Sequence, residues 1–507
     1  MYGLILLLLS CTALRPTMPV LKEKRIDKGL TDVNRERLEQ AESKCEEGKE
    51  KLEEGKYGKS EALLLDCLEV KEELLGRYHS SNFVYLNGLS DVYYYREKYE
   101  EFDRLVSKLY VETIKVLGRE HPDTLRSMNN LAFLYYIQGN YSEAESLYVE
   151  ILELKQKVLG KEHPDTLISM NNLAVLYDNQ GRYREAEPLY VEVLEFKQKV
   201  LGKEHPDTLI SMNNLAGLYE SQGNYGEAFP LLKVVLEGEE QHLRTNLYGS
   251  ESTIQSFFGT FSSSTNYAFS VYFDTEGIPE GFLKLSFETW IRRKGRLLEA
   301  QSNTLALIQR NLDAEGVQMF DELKELHEQE SHLIQNPPES NFEQHKEDLE
   351  SLSKQISELE MALSFKSQSF AQQNQIPTLE DIQSSLPPDS ILIDFVVYED
   401  KNDEQQLGIF SLTDKGELSG IKIGSLQSFK KELKPFRQTR SASFGKSLYK
   451  KLIEPILPNA EEYEHVFISP DGPLNLIPFE ILQDSKGDSL IDKTTISYLS
   501  TGRDLLR

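Results

Sequence analysis

Cysteine is scarce in this chain: Cys11, Cys45 and Cys67 are the only three in 507 residues. They form no CxxC metal spacing, and three clustered thiols are too few to staple a secreted fold. The sequence therefore predicts a reducing compartment, the cytoplasm. Basic residues are in deficit, 56 against 83 acidic ones, for a net charge of −27. A phosphate-binding groove needs a dense Lys/Arg face, so no nucleic-acid partner is expected. No segment reaches the ~18 apolar residues of a membrane-spanning helix. No ligand spacing implies a metal, and no motif implies a cofactor. What remains is an acidic, folded chain, 39% hydrophobic and 27% charged, long enough for roughly two to four domains.

The strongest positive signal is an internal period. His-Pro-Asp-Thr occurs at 121–124, 163–166 and 205–208, a spacing of 42 each time. A degenerate unit begins at His79, where Leu86, Leu89 and Tyr93 hold the positions of Met128, Leu131 and Tyr135, and a weaker half-unit ends in 55–65. Each unit reads as two helices. Pro122 suits a first turn, where its missing N–H costs nothing, and Asp123 or Thr124 can cap. Met128, Leu131, Ala132 and Tyr135 make one apolar face at helical spacing. Gly139 ends the first helix in a left-handed turn. Ala144, Tyr148 and Ile151 then face back from the second, and small Ala132 and Ala144 stand where the helices approach closely.

These units resemble the tetratricopeptide repeat, in the 42-residue form of kinesin-light-chain-type proteins, with HPDT and NNLA as signatures. The resemblance implies an α-solenoid over 37–246 whose first helices line a concave wall that holds peptides. In the matching positions stand Asn129 and Asn130, Asn171 and Asn172, Asn213 and Asn214. An amide both donates and accepts, so a ladder of them can pair with an extended backbone whatever its side chains. The alternative is that one Asn of each pair bonds within or between repeats and holds the stack. Arg126, Phe133 and Tyr136 change from unit to unit, which suits ligand specificity. The HPDT histidines, 42 residues apart, read as caps or turns, since catalysis needs convergent groups.

The period stops after 246. Residues 247–375 read as a helical connector. Within it a helix runs from Phe287 to about Leu312, and its basic cluster Arg292, Arg293, Lys294 and Arg296 reads as a solvated face. Leucine-rich stripes at 319–333 and 349–363 make an antiparallel hairpin, with Asn336-Pro337-Pro338 as its turn and Ser340/Glu343 as a capping box. From 376 to 507 the pattern becomes α/β, with buried-type strands at 390–398 and 465–469, lesser strands at 407–412 and 420–423, and a helix near 444–456.

Residues 468–482 (ISPDGPLNLIPFEIL) and 496–506 (ISYLSTGRDLL) resemble the opening half of a CHAT domain, a caspase-related cysteine-peptidase type often fused in bacteria behind tetratricopeptide arrays. WIRRKGRLLEAQS (290–302) and the 390–398 strand resemble its preceding region. The resemblance places the catalytic His and Cys on later strands, past the motif that this sequence reaches. No cysteine follows Cys67 and the last histidine is His465, read as a strand-edge residue. Ser469 has no GxSxG elbow around it, and Asp471-Gly472 reads as a turn. No catalytic residue is expected. A core without its last strands leaves an open edge, either because the chain is a gene fragment or because a second chain completes the sheet. The expected role is peptide binding by the array. The alternatives are a plain scaffold or adaptor, and a cysteine endopeptidase completed by sequence after Arg507.

The leader, 1–36, is ambiguous. Leu8-Leu9-Ser10-Cys11 resembles a bacterial lipoprotein processing box, which would anchor the protein through Cys11, but a basic n-region and a longer apolar stretch are missing. A disordered leader, or a start codon assigned too early, is the other expectation.

Overall fold

The computed structural model describes residues 30–246, 264–279, 281–301, 312–335, 342–367, 376–439 and 442–506. The lipobox, Cys11 and the turn at 336–341 with Ser340 lie outside the described residues, as do 302–311. The chain divides into two compact units, one up to Phe196 and one from Lys197 on.

The first unit is built of paired helices: α1 (Asp32–Glu53) with α2 (Tyr57–Leu75), α3 (Phe83–Tyr95) with α4 (Tyr99–Leu117), α5 (Pro122–Ile137) with α6 (Tyr141–Leu159), and α7 (Pro164–Asn179) with α8 (Tyr183–Leu201), which runs across the boundary. Pro122 and Pro164 stand in the first turns as expected, but neither Asp123 nor Thr124 is the cap. The ring Nδ1 of His121 accepts the Asp123 N–H, and His163 does the same for Asp165, each at 3.1 Å. The signature histidine is thus a helix cap, satisfying an N–H that the helix leaves open. At the other end, Gly139 has φ +76°, the Asn140 N–H reaches the Tyr135 carbonyl at 2.8 Å and the Gly139 N–H reaches Tyr136 at 3.0 Å. That bond pair is a Schellman turn, which needs the left-handed conformation glycine adopts without strain.

Met128, Ala132, Ala144, Tyr148 and Ile151 are fully buried, so the two stripes read from the repeat meet as expected. The structure also joins two residues the sequence left without a role. Cys45 on α1 and Cys67 on α2 form a disulfide, with Cα atoms 5.5 Å apart and 22 residues between them in sequence. The expectation that these cysteines staple nothing is overturned, because stacking α1 on α2 brings two buried thiols into bonding range.

The second unit opens with α9 (Pro206–Ser221) and α10 (Tyr225–Asn246), capped by His205 in the same way. With its Nδ1 accepting, the His205 ring must carry its proton on Nε2, which donates to the Ile334 carbonyl at 3.1 Å. Then come α11 (Gly281–Gln301) and the hairpin α12 (Ala314–Gln335) and α13 (Phe342–Lys366). Lys366 at the end of α13 reaches Glu315 at the start of α12 (2.7 Å), so the pair is antiparallel, with Phe320, Leu323, Ile356 and Leu363 between them.

A short α14 (Leu379–Ser385) leads into the sheet: β1 (Ser390–Glu399), β2 (Gln405–Thr413), β3 (Leu418–Ser425), then α15 (Leu426–Thr439) and α16 (Ala442–Leu452), β4 (His465–Ser469) and β5 (Thr495–Tyr498). The order is β3-β2-β1-β4-β5, antiparallel over the first three strands and parallel from β1 to β5. Ile391, Ile393 and Phe395 face α15 and α16, whereas Leu392, Val396 and Tyr398 face α11. Both faces are covered, which is why β1 reads as an almost unbroken apolar run. The one charge between Ser390 and Tyr398 is Asp394, fully buried on the α11 side.

Candidate functional site

In the first unit the first helices of successive repeats, α3, α5 and α7, present equivalent residues 42 apart. The second asparagine of the first two pairs is used between repeats, and Asn129 takes part as an acceptor. Asn130 Nδ2 donates to Ser90 Oγ (2.8 Å) and Asp91 Oδ1 (3.0 Å), and Asn172 Nδ2 donates to Asn129 Oδ1 (2.9 Å). Asn129 and Asn171 stay 7% and 8% exposed, whereas Asn130 and Asn172 are 2% and 0%. In the second unit Asn214 is buried and Asn213 is half-buried, its amide oxygen meeting no donor among the described residues. Phe133, expected on the ligand side, is buried at 1%, because it packs edge-on against Tyr94 (4.9 Å) and Phe102 (6.3 Å). Arg126 is committed to Asp91 at 2.6 Å, an ion pair between neighbouring first helices.

Asp178, which sequence reading passed over, stands on α7 where the preceding repeat has Tyr136. Tyr94, Tyr136 and Asp178 occupy one position of three successive units. Burial against Tyr136 and Tyr190 pushes the Asp178 carboxyl up to about 6. A carboxyl raised above its unfolded value of 3.8 carries no penalty below that value, and costs stability as pH rises through the folded one. Asp178→Asn is therefore expected to stabilise the protein at about pH 7.5, by at most ~3 kcal/mol for a shift of about two units, and to leave it unchanged below about pH 4. Thermal unfolding at the two pH values checks this; an equal effect at both contradicts it.

At the other end of the chain, Ser469 and His465 lie on β4 but form no catalytic pair. His465 Nε2 is 2.8 Å from Ser497 Oγ, and its ring stacks on Phe467 at 4.4 Å. Ser469 is fully buried with its Oγ 2.7 Å from Lys294 Nζ, and that ammonium also binds Asp394 Oδ1 at 2.8 Å. A lysine held by a carboxylate offers the serine no base. Asp471 accepts the Val397 N–H at 2.9 Å, so the Asp-Gly turn is tied to β1. The basic cluster on α11 is not a solvated face. Lys294 is 8% exposed and Arg293 is 8%, the latter paired with Glu239 at 2.6 Å. Arg292 reaches Glu288 and the Pro377 carbonyl, while the Arg296 side chain is outside the described residues.

The tetratricopeptide repeat family model matches residues 112–157, 123–199 and 179–241, and the CHAT domain model matches 442–507. Among curated proteins nothing matches. Similar solved structures include a Podosopora anserina putative kinesin light chain with nearly identical TPR-like repeats, 28% identical, covering 41% of this chain and 98% of that one at a TM-score of 0.36. BtubC (BKLC) from P. vanneervenii is 17% identical over 54% of this chain and 94% of its own (TM-score 0.35). The apo form of RapI is 13% identical over 63% and 99% (TM-score 0.36).

Proposed function

We propose that this chain, which carries tetratricopeptide repeats and a CHAT domain segment, binds an extended stretch of another polypeptide along the first helices of its repeats. Repeats of this type indicate protein–protein interaction, and the observation that carries the finer reading is Asn129 and Asn171. They stand at one repeat position on α5 and α7 and keep 7% and 8% of their surface exposed, against 2% and 0% for Asn130 and Asn172, although Asn129 Oδ1 also accepts from Asn172. A peptide backbone running across them meets donors and acceptors in register with the repeat. Replacing Asn129, Asn171 and Asn213 together by alanine is expected to weaken partner capture about tenfold or more, from lost hydrogen bonds of about 1 kcal/mol each. Pull-down with the full chain, its helicity checked by circular dichroism, measures this; undiminished capture makes the ladder structural and leaves a plain scaffold as the better reading.

The CHAT segment supports a recognition module attached to a protease-like domain. Residues 1–507 contain no cysteine after Cys67 and no histidine after His465, so cysteine-dependent hydrolysis is not assigned to them; an endopeptidase would need both groups from further sequence. Pairing of a second chain at the β5 edge is favoured by one observation. Among the described residues β5 bonds only to β4, and its Tyr498 is 48% exposed. The Cys45–Cys67 bridge favours an oxidising compartment over the cytoplasm, the setting in which anchoring through Cys11 would also stand. Among the described residues no helix is long and apolar enough to cross a membrane.

A further inference from the structure

The row of Tyr94, Tyr136 and Asp178 puts two rings and then a carboxylate at the C-terminal ends of α3, α5 and α7. The rings continue outward. Tyr94 meets Tyr99 at 6.0 Å and Tyr136 meets Tyr141 at 5.9 Å, and Tyr99 and Tyr141 are 52% and 40% exposed. Asp178 interrupts this aromatic run. It sits one residue from the end of α7, where the helix carbonyls already concentrate negative potential and a cation is the favoured neighbour. Among the described residues no cation is paired with it, and its carboxylate has no hydrogen bond. Arg182, four residues on, is held by Glu145 and Glu185, each at 2.6 Å. The groups facing Asp178 are Tyr136 from α5 and Tyr190 from α8, both tyrosines that burial keeps protonated.

A half-buried carboxylate beside tyrosine rings, without a counter-ion, is built to receive a positive charge. We infer that Asp178, with Tyr136 and Tyr141, takes an arginine or lysine side chain of the polypeptide that binds the first helices. The inference rests on the groove reading above and adds its specificity. Arginine fits better than lysine, because its flat guanidinium can stack on a ring while bonding the carboxylate. The chain's net charge of −27 favours encounter with such basic segments at low salt.

The test selects peptides from a randomised twelve-residue display library on the full-length protein, and measures the enriched peptides against wild type, Asp178→Asn and Asn129→Ala/Asn171→Ala. The expected result is a shared Arg or Lys at one peptide position. Changing it to norleucine should lower affinity about tenfold on wild type and leave it unchanged on Asp178→Asn. Thermal stability of Asp178→Asn at or above wild type excludes misfolding as the cause. Peptides that need Asn129 and Asn171 but share no cation, or that keep full affinity on Asp178→Asn, overturn the inference and leave the groove standing. If no peptide is enriched, or if binding ignores all three residues, the groove reading falls and takes this one with it.

Discussion

Lys294→Met is expected to destabilise the C-terminal unit by roughly 3–5 kcal/mol, because it strands a buried carboxylate. Lys294 Nζ lies 2.8 Å from Asp394 Oδ1 and 2.7 Å from Ser469 Oγ, with the Ser469 and Phe395 carbonyls at 3.3 and 3.4 Å. It spans three elements, α11, β1 and the end of β4. Asp394 is completely buried. Without the ammonium it keeps two donors, the Trp290 indole N–H at 2.9 Å and the Gly502 N–H at 3.2 Å. Two neutral donors do not repay the desolvation of a charge in a core between sheet and helix. Removing the charge from both sides, as Lys294→Met with Asp394→Asn, is expected to recover much of the loss, since breaking a buried pair costs more than replacing it. Trp290 is the only tryptophan and bonds to the carboxylate in question, so its fluorescence during urea unfolding reports on this site directly. An unchanged midpoint for Lys294→Met contradicts the account.

Breaking the Cys45–Cys67 bridge is expected to lower the stability of the first helix pair by about 3 kcal/mol, from the chain entropy released when the link across its 22-residue separation is cut. Both sulfurs are completely buried, and the bridge joins α1 to α2 where Leu52, Leu64 and Leu68 pack. Cys45→Ala/Cys67→Ala, or reduction during unfolding, should bring forward the loss of α1 and α2. Hydrogen exchange resolved to those helices reads it locally, which matters because the two units need not unfold together. Equal exchange with and without the bridge refutes the prediction. In protein made under oxidising conditions and denatured without reductant, the count of alkylatable thiols should rise by two once reductant is added.

Much of the architecture was legible beforehand, and for a reason particular residues make plain. The 42-residue period, the prolines of the first turns and the stripe of Met128, Leu131 and Ala132 act within one or two turns of helix. So does Gly139, whose left-handed turn follows from the residue type alone. The β1 run Ser390–Tyr398 likewise announced a strand covered on both faces. The sequence left the cap between Asp123 or Thr124 and the signature histidine, and the structure gives it to His121, outside the usual Ser, Thr, Asp and Asn. A ring nitrogen does the same work two residues upstream of the aspartate. The helix α15 was also passed over, its apolar residues Leu426, Phe429, Leu433 and Phe436 being interrupted by lysines that cover its outer face.

The tetratricopeptide array and the α/β region that follows it were determined by sequence alone, since spacing, caps and turn residues are local quantities written along the chain. Only tertiary structure decided what the individual polar groups do. Lys294 and Asp394 are 100 residues apart, and α11 reads as a solvated basic helix until the sheet supplies its buried partner. Asn130 reaches Ser90 and Asp91, and Asn172 reaches Asn129, across a repeat boundary that no single repeat's sequence reveals. Asp178 shares its repeat position with Tyr94 and Tyr136, and its want of a partner emerges once Arg182 is seen to be taken by Glu145 and Glu185. Such pairings depend on which surfaces stack and on how much water they exclude, and neither quantity is carried by any single stretch of sequence.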